Sequence, residues 1–219
     1  MPSQSAIAKA LLHLHGHGFA EEIGIPLQRN TPSPLFRWLV AALLFSTRIR
    51  AGKAVAAAKA LSKAGWRTPQ AMAAASWADR VEVLNRAGYA RYDESTARML
   101  GATARQVLDS YRGDLRRLRK AAGENPQEER RLLQAFEGIG ATGAAIFLRE
   151  VQAVWPEVYP FADPKALSAA RALGLPGDAQ DLAELVPPGD FTRLVAALVR
   201  SGLAKDHDRV VEVAAGIPD

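Results

Sequence analysis

The chain has 219 residues, 48% of them hydrophobic, so it can bury a full core as one large domain or two small lobes, which excludes disorder as its default state. Twenty-eight Lys and Arg against 23 Asp and Glu leave a formal charge of +5, which favours a polyanionic partner without requiring one. The absence of cysteine excludes disulfides, thiolate metal sites, iron–sulfur clusters and cysteine nucleophiles together. The N-terminal stretch has neither a basic n-region nor a small-residue cleavage pattern, and no apolar run reaches membrane-spanning length, so a soluble cytoplasmic protein is expected.

Ala and Leu recur with a period near 3.6 almost throughout and strand-like alternation is scarce, which predicts an all-α fold. A first helix is expected over 5–15, then a break at Arg29-Asn30-Thr31-Pro32-Ser33-Pro34 and an apolar helix over 35–45. An Ala/Lys helix follows over 51–64, a short one after Thr68-Pro69, and another over 77–86. A long amphipathic helix is predicted over 93–110 and shorter ones over 114–122 and 126–136. Glu137-Gly138-Ile139-Gly140 stops the last of these, and a further helix begins at Ala141. After the loop Trp155-Pro156-Glu157-Val158-Tyr159-Pro160-Phe161-Ala162, Asp163-Pro164 reads as the N-cap and N1 of the next helix. Helices over 191–201 and 206–215 complete the pattern.

Two helices joined by Gly138-Ile139-Gly140 suit a phosphate. The glycines can take positive φ and leave no side chain in the way, so amides at the second helix's start can close on an oxygen. The alternative is an ordinary αα-corner with glycines in its turn. From Ile23 through Ala78 there are eight basic residues and no acidic one, an electrostatic footprint for phosphates. Lys59 and Lys63, at i,i+4 spacing, also read as a solvated helix face, as does the Arg112–Lys120 cluster interleaved with Asp109 and Asp114. His13 and His17 have the spacing of a metal pair but no evident third ligand, so no metal is expected.

A hairpin, a Pro-containing loop and an Asp in this order resemble the helix-hairpin-helix/GPD superfamily of DNA glycosylases, its endonuclease III-like branch in particular. Leu39 to Leu44 followed by Ser46-Thr47-Arg48 resembles that family's early helix and duplex-inserting loop. Gly88-Tyr89 to Leu100 resembles another helix start, and Leu185-Val186-Pro187 to Gly202-Leu203 the late helix. The resemblance implies two helical lobes with a cleft between them: a central lobe over 34–154, and a discontinuous lobe from 1–33 and 155–219 that carries Asp163. It implies a base-excision repair enzyme acting on double-stranded DNA as a monomer, Asp163 stabilising the sugar cation as the N-glycosidic bond of a flipped base breaks. Thr142, counted with Asp163 in the catalytic set, stands where bifunctional members carry a Schiff-base lysine, so a monofunctional glycosylase is implied.

DNA contacts are implied for Gly138, Ile139, Gly140, Thr47, Arg48, Arg50 and Lys53, with Thr47 or Arg48 in the place of the residue that fills the gap left by the flipped base. Trp155, Tyr159 and Phe161 are candidates to line a base pocket, packing being their alternative role. Besides Thr142, the chain departs from the family at Pro164-Lys165, which follow the Asp, in the early helix, which lacks the glutamate of the adenine-specific members, and in the missing four-cysteine iron–sulfur loop. No cofactor is therefore expected. The altered positions Thr142, Gly143, Pro164 and Lys165 support the alternative of a non-catalytic DNA-binding protein that keeps the fold.

Overall fold

The computed structural model describes residues 2–217, and every regular element among them is helical. In chain order these are α1 (Gln4–His15), α2 (Phe19–Ile23), α3 (Pro32–Ser46), α4 (Ala51–Lys63), α5 (Pro69–Ala74), α6 (Trp77–Arg86), α7 (Asp93–Tyr111), α8 (Arg116–Ala121) and α9 (Pro126–Gln134). They continue with α10 (Ala141–Val151), α11 (Pro164–Ala172), α12 (Ala179–Ala183), α13 (Pro188–Ala204) and α14 (His207–Ala215). Single 3-10 turns lie at Leu27–Arg29 and Pro156–Val158. The chain is all-α. Helix starts follow local chemistry: Ser3, Thr68, Asn125, Asp163 and Asp178 accept from first-turn amides, and Ser76 with Asp79 forms a capping box. α3 begins three residues before the expected start, because Pro32 and Pro34 both fall in its first turn, where a missing N–H removes no helical bond.

The chain divides into two compact units: a continuous one, Ala20–Leu148, and a composite one, Met1–Phe19 with Arg149–Asp219. The division falls within α10.

In the continuous unit α3 is the core helix. Leu35, Phe36, Trp38, Leu39, Leu43 and Leu44 are all buried, and the Trp38 indole donates to the Phe147 carbonyl at 3.0 Å. α7 packs on α5 and α6, and at that junction buried Arg80 donates to the carbonyls of Met72, Ala75 and Ala97. Two of those acceptors lie at the end of α5, where carbonyls without helical partners favour a cation.

In the composite unit α13 is the centre, with Phe191, Leu194, Val195 and Leu198 buried and α1 and α11 packed on it. His15 at the end of α1 pairs with Asp206 at 2.9 Å, and Asp206 also accepts from the Ser201 hydroxyl at 2.7 Å.

Candidate nucleic-acid interface and buried carboxylate

The hairpin between α9 and α10 is built against α7. Gly138 takes a φ of +85°, which a side chain would strain, and Met99 of α7 lies where its Cβ would stand. The Thr103 hydroxyl donates to the Glu137 carbonyl at 3.1 Å and the Gln106 amide to the Ala135 carbonyl at 3.2 Å. Phe136 stacks its ring 5.9 Å from that of Tyr111, and Ile139 is buried. Ile139 therefore anchors the turn inward, and the two glycines beside it face water.

α10 starts differently from the capped helices. The Gly140 carbonyl accepts from the Ala144 amide at 3.0 Å, which makes Gly140 the residue at the cap position, and glycine has no side chain to offer the first-turn N–H groups. Gly140, Ala141 and Thr142 are exposed. The first two residues of the helix, at the positive end of its dipole, thus lie at the surface behind a cap that offers no acceptor.

Gly143, in the first turn of α10, has the Ser46 side chain in van der Waals contact distance of its absent Cβ, so the end of α3 abuts the hairpin. The chain then enters the loop 47–50. Thr47 points inward, its hydroxyl on the Leu44 carbonyl at 2.9 Å and against the Tyr89 hydroxyl. Arg48 and Arg50 point into water and form no ion pair among the described residues. Lys53, in the first turn of α4, is exposed and donates to the Gly88 carbonyl at 3.0 Å. Of Thr47 and Arg48, which the sequence leaves as alternatives, the exposed one is Arg48.

The composite unit holds Asp163. It is the N-cap of α11: Oδ1 accepts from the amides of Lys165 at 2.9 Å and Ala166 at 3.1 Å. Oδ2 accepts from Arg149 Nη1 at 2.5 Å, with both side chains at most 5% exposed. The carboxylate is thus capped on one oxygen, charge-neutralised on the other and buried. The Arg149 guanidinium lies 5.1 Å over the Phe19 ring, and its Nε is buried without a partner. Arg200 covers the same ring at 4.0 Å, and Glu150 accepts from the Phe19 amide at 2.7 Å. Gln152 ties down the approach to Asp163, bridging the main chain of Phe161 in both directions at 2.8 and 2.9 Å.

Of the aromatic candidates, Trp155 is wholly buried in the core, Tyr159 sets its ring edge-on to Phe191 at 5.3 Å, and Phe161 is half-buried. Arg149, Glu150 and Gln152 are neighbours of the Asp163 segment that the sequence does not single out. The available signal is Arg149 and Glu150 following the apolar run Ala144 to Leu148, with Gln152 just past the helix end. Among the described residues no group of His, Asp and Glu could hold a metal ion, and no helix is long and apolar enough to cross a membrane.

No family model matches the chain, and no curated protein matches it. Among solved structures, a trapped endonuclease III–DNA covalent intermediate, an estranged-adenine complex, is similar over 74% of this chain and 71% of that one, with 16% identity and a TM-score of 0.47. That likeness carries no residue's role over to this chain.

Proposed function

We propose that this chain binds duplex DNA by its phosphates and works on it as a monofunctional base-excision glycosylase, with one nucleotide drawn out of the stack. The observation that carries the reading is the start of α10: exposed first-turn residues behind a glycine cap, held in place by α7 and abutting the segment that leads to Arg48 and Arg50. Such a site takes a phosphate without reading sequence, and the unpaired arginines supply charge beside it. Thr142 is exposed in the same first turn and has a hydroxyl where Schiff-base chemistry needs an amine, so water is the nucleophile in this reading. Asp163 supplies negative charge to the sugar cation as the base departs, and for that Arg149 must yield Oδ2.

The Arg149–Asp163 pair favours a second reading, in which the chain binds DNA without turnover and Asp163 is a cap and a buried counter-ion. One experiment separates them. Single-turnover base release is measured at protein excess on duplexes carrying uracil, thymine glycol, alkylated purines, 8-oxoguanine or a mismatch, with alkali added to reveal abasic sites. The enzyme reading expects alkali-dependent cleavage of at least one duplex and its loss in Asp163→Asn. Tight, salt-sensitive binding with no release from any duplex establishes the second.

A further inference from the structure

We propose that Tyr89 is a positioning residue for the loop that presents Arg48 to the duplex, the Gly88–Tyr89 turn closing on that loop from two sides. The inference rests on the DNA-binding reading above.

Tyr89 is wholly buried, and burial pushes its hydroxyl above the ordinary tyrosine range, so it stands there as a neutral donor. Its hydroxyl lies 2.9 Å from the Leu44 carbonyl, in the last turn of α3, where carbonyls lack helical donors. The Thr47 hydroxyl lies on the same carbonyl and against the Tyr89 oxygen. Each hydroxyl has one proton, so the three groups close as a chain: one hydroxyl donates to the other, and the second donates to Leu44. This fixes the residue immediately before Arg48 although it lies in a turn with no helical bond of its own.

The other end of the loop is held by the neighbouring backbone. Lys53, in the first turn of α4, donates to the carbonyl of Gly88, the residue before Tyr89. Gly88 has a φ of +79°, and the Lys53 ammonium lies 3.4 Å from where a Cβ would be, so a side chain there would strain the turn and crowd the contact. Two consecutive residues thus grip residues 47 and 53, and between them Arg48 and Arg50 stand in water with no ion pair among the described residues. A long cation on a pre-set backbone loses less freedom on meeting a phosphate than one on a loose loop, which is how a buried tyrosine that touches no DNA would raise affinity.

The test is a double-mutant cycle on duplex binding, measured by fluorescence anisotropy over a salt series, with native, Tyr89→Phe, Arg48→Ala and doubly substituted chains. Amide hydrogen exchange of residues 47–50 is followed in the free proteins. Tyr89→Phe keeps the ring and should weaken duplex binding about fivefold, the worth of one ordinary hydrogen bond. It should add nothing once Arg48 is gone, and should speed exchange at 48–50. Thr47→Val removes the other hydroxyl of the same chain and should reproduce the effect if Tyr89→Phe folds poorly. Equal losses with and without Arg48, or native binding by both hydroxyl variants while Arg48→Ala is weakened, overturn the role of Tyr89 and leave the DNA-binding reading standing. A native chain that shows no salt-dependent duplex binding overturns both.

Discussion

Two helices of this protein begin with the same electrostatic problem and solve it in opposite ways. α11 starts at Asp163, whose Oδ1 takes the amides of Lys165 and Ala166 and whose Oδ2 is held by Arg149. α10 starts at Gly140, which offers no side chain, and its first-turn residues Ala141 and Thr142 are exposed. Orphan amides and a positive dipole end exist at both. At α11 they are answered from within by a carboxylate that is itself neutralised. At α10 glycine offers no such carboxylate, and the proposed reading seats a phosphate there. In the proposed reading anion binding and carboxylate chemistry fall on different helix starts, and the carboxylate of the sequence motif is already fully engaged by its own fold.

The largest test of this contrast removes the neutralising partner. Arg149→Met leaves the Asp163 carboxylate buried with its two amide donors and no cation, and breaking a buried pair from one side costs about 3–5 kcal/mol. Urea unfolding should show a midpoint lowered accordingly at unchanged slope. Asp163→Asn keeps one oxygen to cap α11, but the amide nitrogen that replaces Oδ2 is a donor facing Arg149, so it should cost a similar amount by leaving the guanidinium buried and unpaired. The double variant should recover part of the Arg149→Met loss. Stability within about 0.5 kcal/mol of native in Arg149→Met would mean that the carboxylate is not held by this pair, and the contrast between the two helix starts would collapse.

A smaller effect is expected at the other start, with the two readouts moving in opposite directions. Gly140→Asp installs at α10 the cap that α11 already has, and the space around the Gly140 Cβ position is open. The helix should gain up to about 1 kcal/mol, while duplex affinity falls about tenfold or more as a carboxylate occupies the amides and repels phosphate. The dependence of log affinity on log salt should become shallower by about one contact, near 0.9 in slope. Gly140→Ala, which adds no acceptor, separates the cap from mere bulk. Unchanged affinity in Gly140→Asp would remove α10 from the interface.

What was legible in the sequence is what local chemistry decides. The all-α class follows from a 3.6 period that tertiary packing has no reason to override, and the hairpin follows from a turn that requires glycine at Gly138. The structure differs where one local rule has two outcomes. Pro32 and Pro34 read as a breaker, yet both fit a helical first turn. The five-residue α2 is too short to show a period at all. What stayed hidden depends on residues that only the fold brings together. Arg149 meets Asp163 across fourteen positions, and Tyr89 meets Thr47 across forty-two. The inward turn of Thr47, which makes Arg48 the exposed side chain, is a consequence of that second meeting and has no signature in residues 46–50. Trp155 lies in an aromatic-rich loop that reads equally as pocket or core, and its complete burial is a tertiary outcome.

The smallest expected effect tests whether internal engagement of carboxylates is general in the composite unit. Asp206 accepts from Ser201 and pairs with His15, so it is answered from within as Asp163 is, but nearer the surface. Burial pushes its pKa up, yet the hydrogen bonds from Ser201 and His15 outweigh that and hold it below the ordinary aspartate value. A carboxyl whose folded pKa lies below its unfolded value of about 3.9 contributes stability that is fully present above that pH and is lost as pH falls through the folded value. Asp206→Asn should therefore lower stability at neutral pH by roughly 1 kcal/mol, as a partly exposed pair does, and should flatten the acid limb of the stability curve below about pH 4. Chemical denaturation at several pH values between 2 and 7 measures both. An acid limb as steep in Asp206→Asn as in the native chain would assign the loss of acid stability to other carboxylates, and would restrict internal engagement in this unit to the buried pair at Asp163.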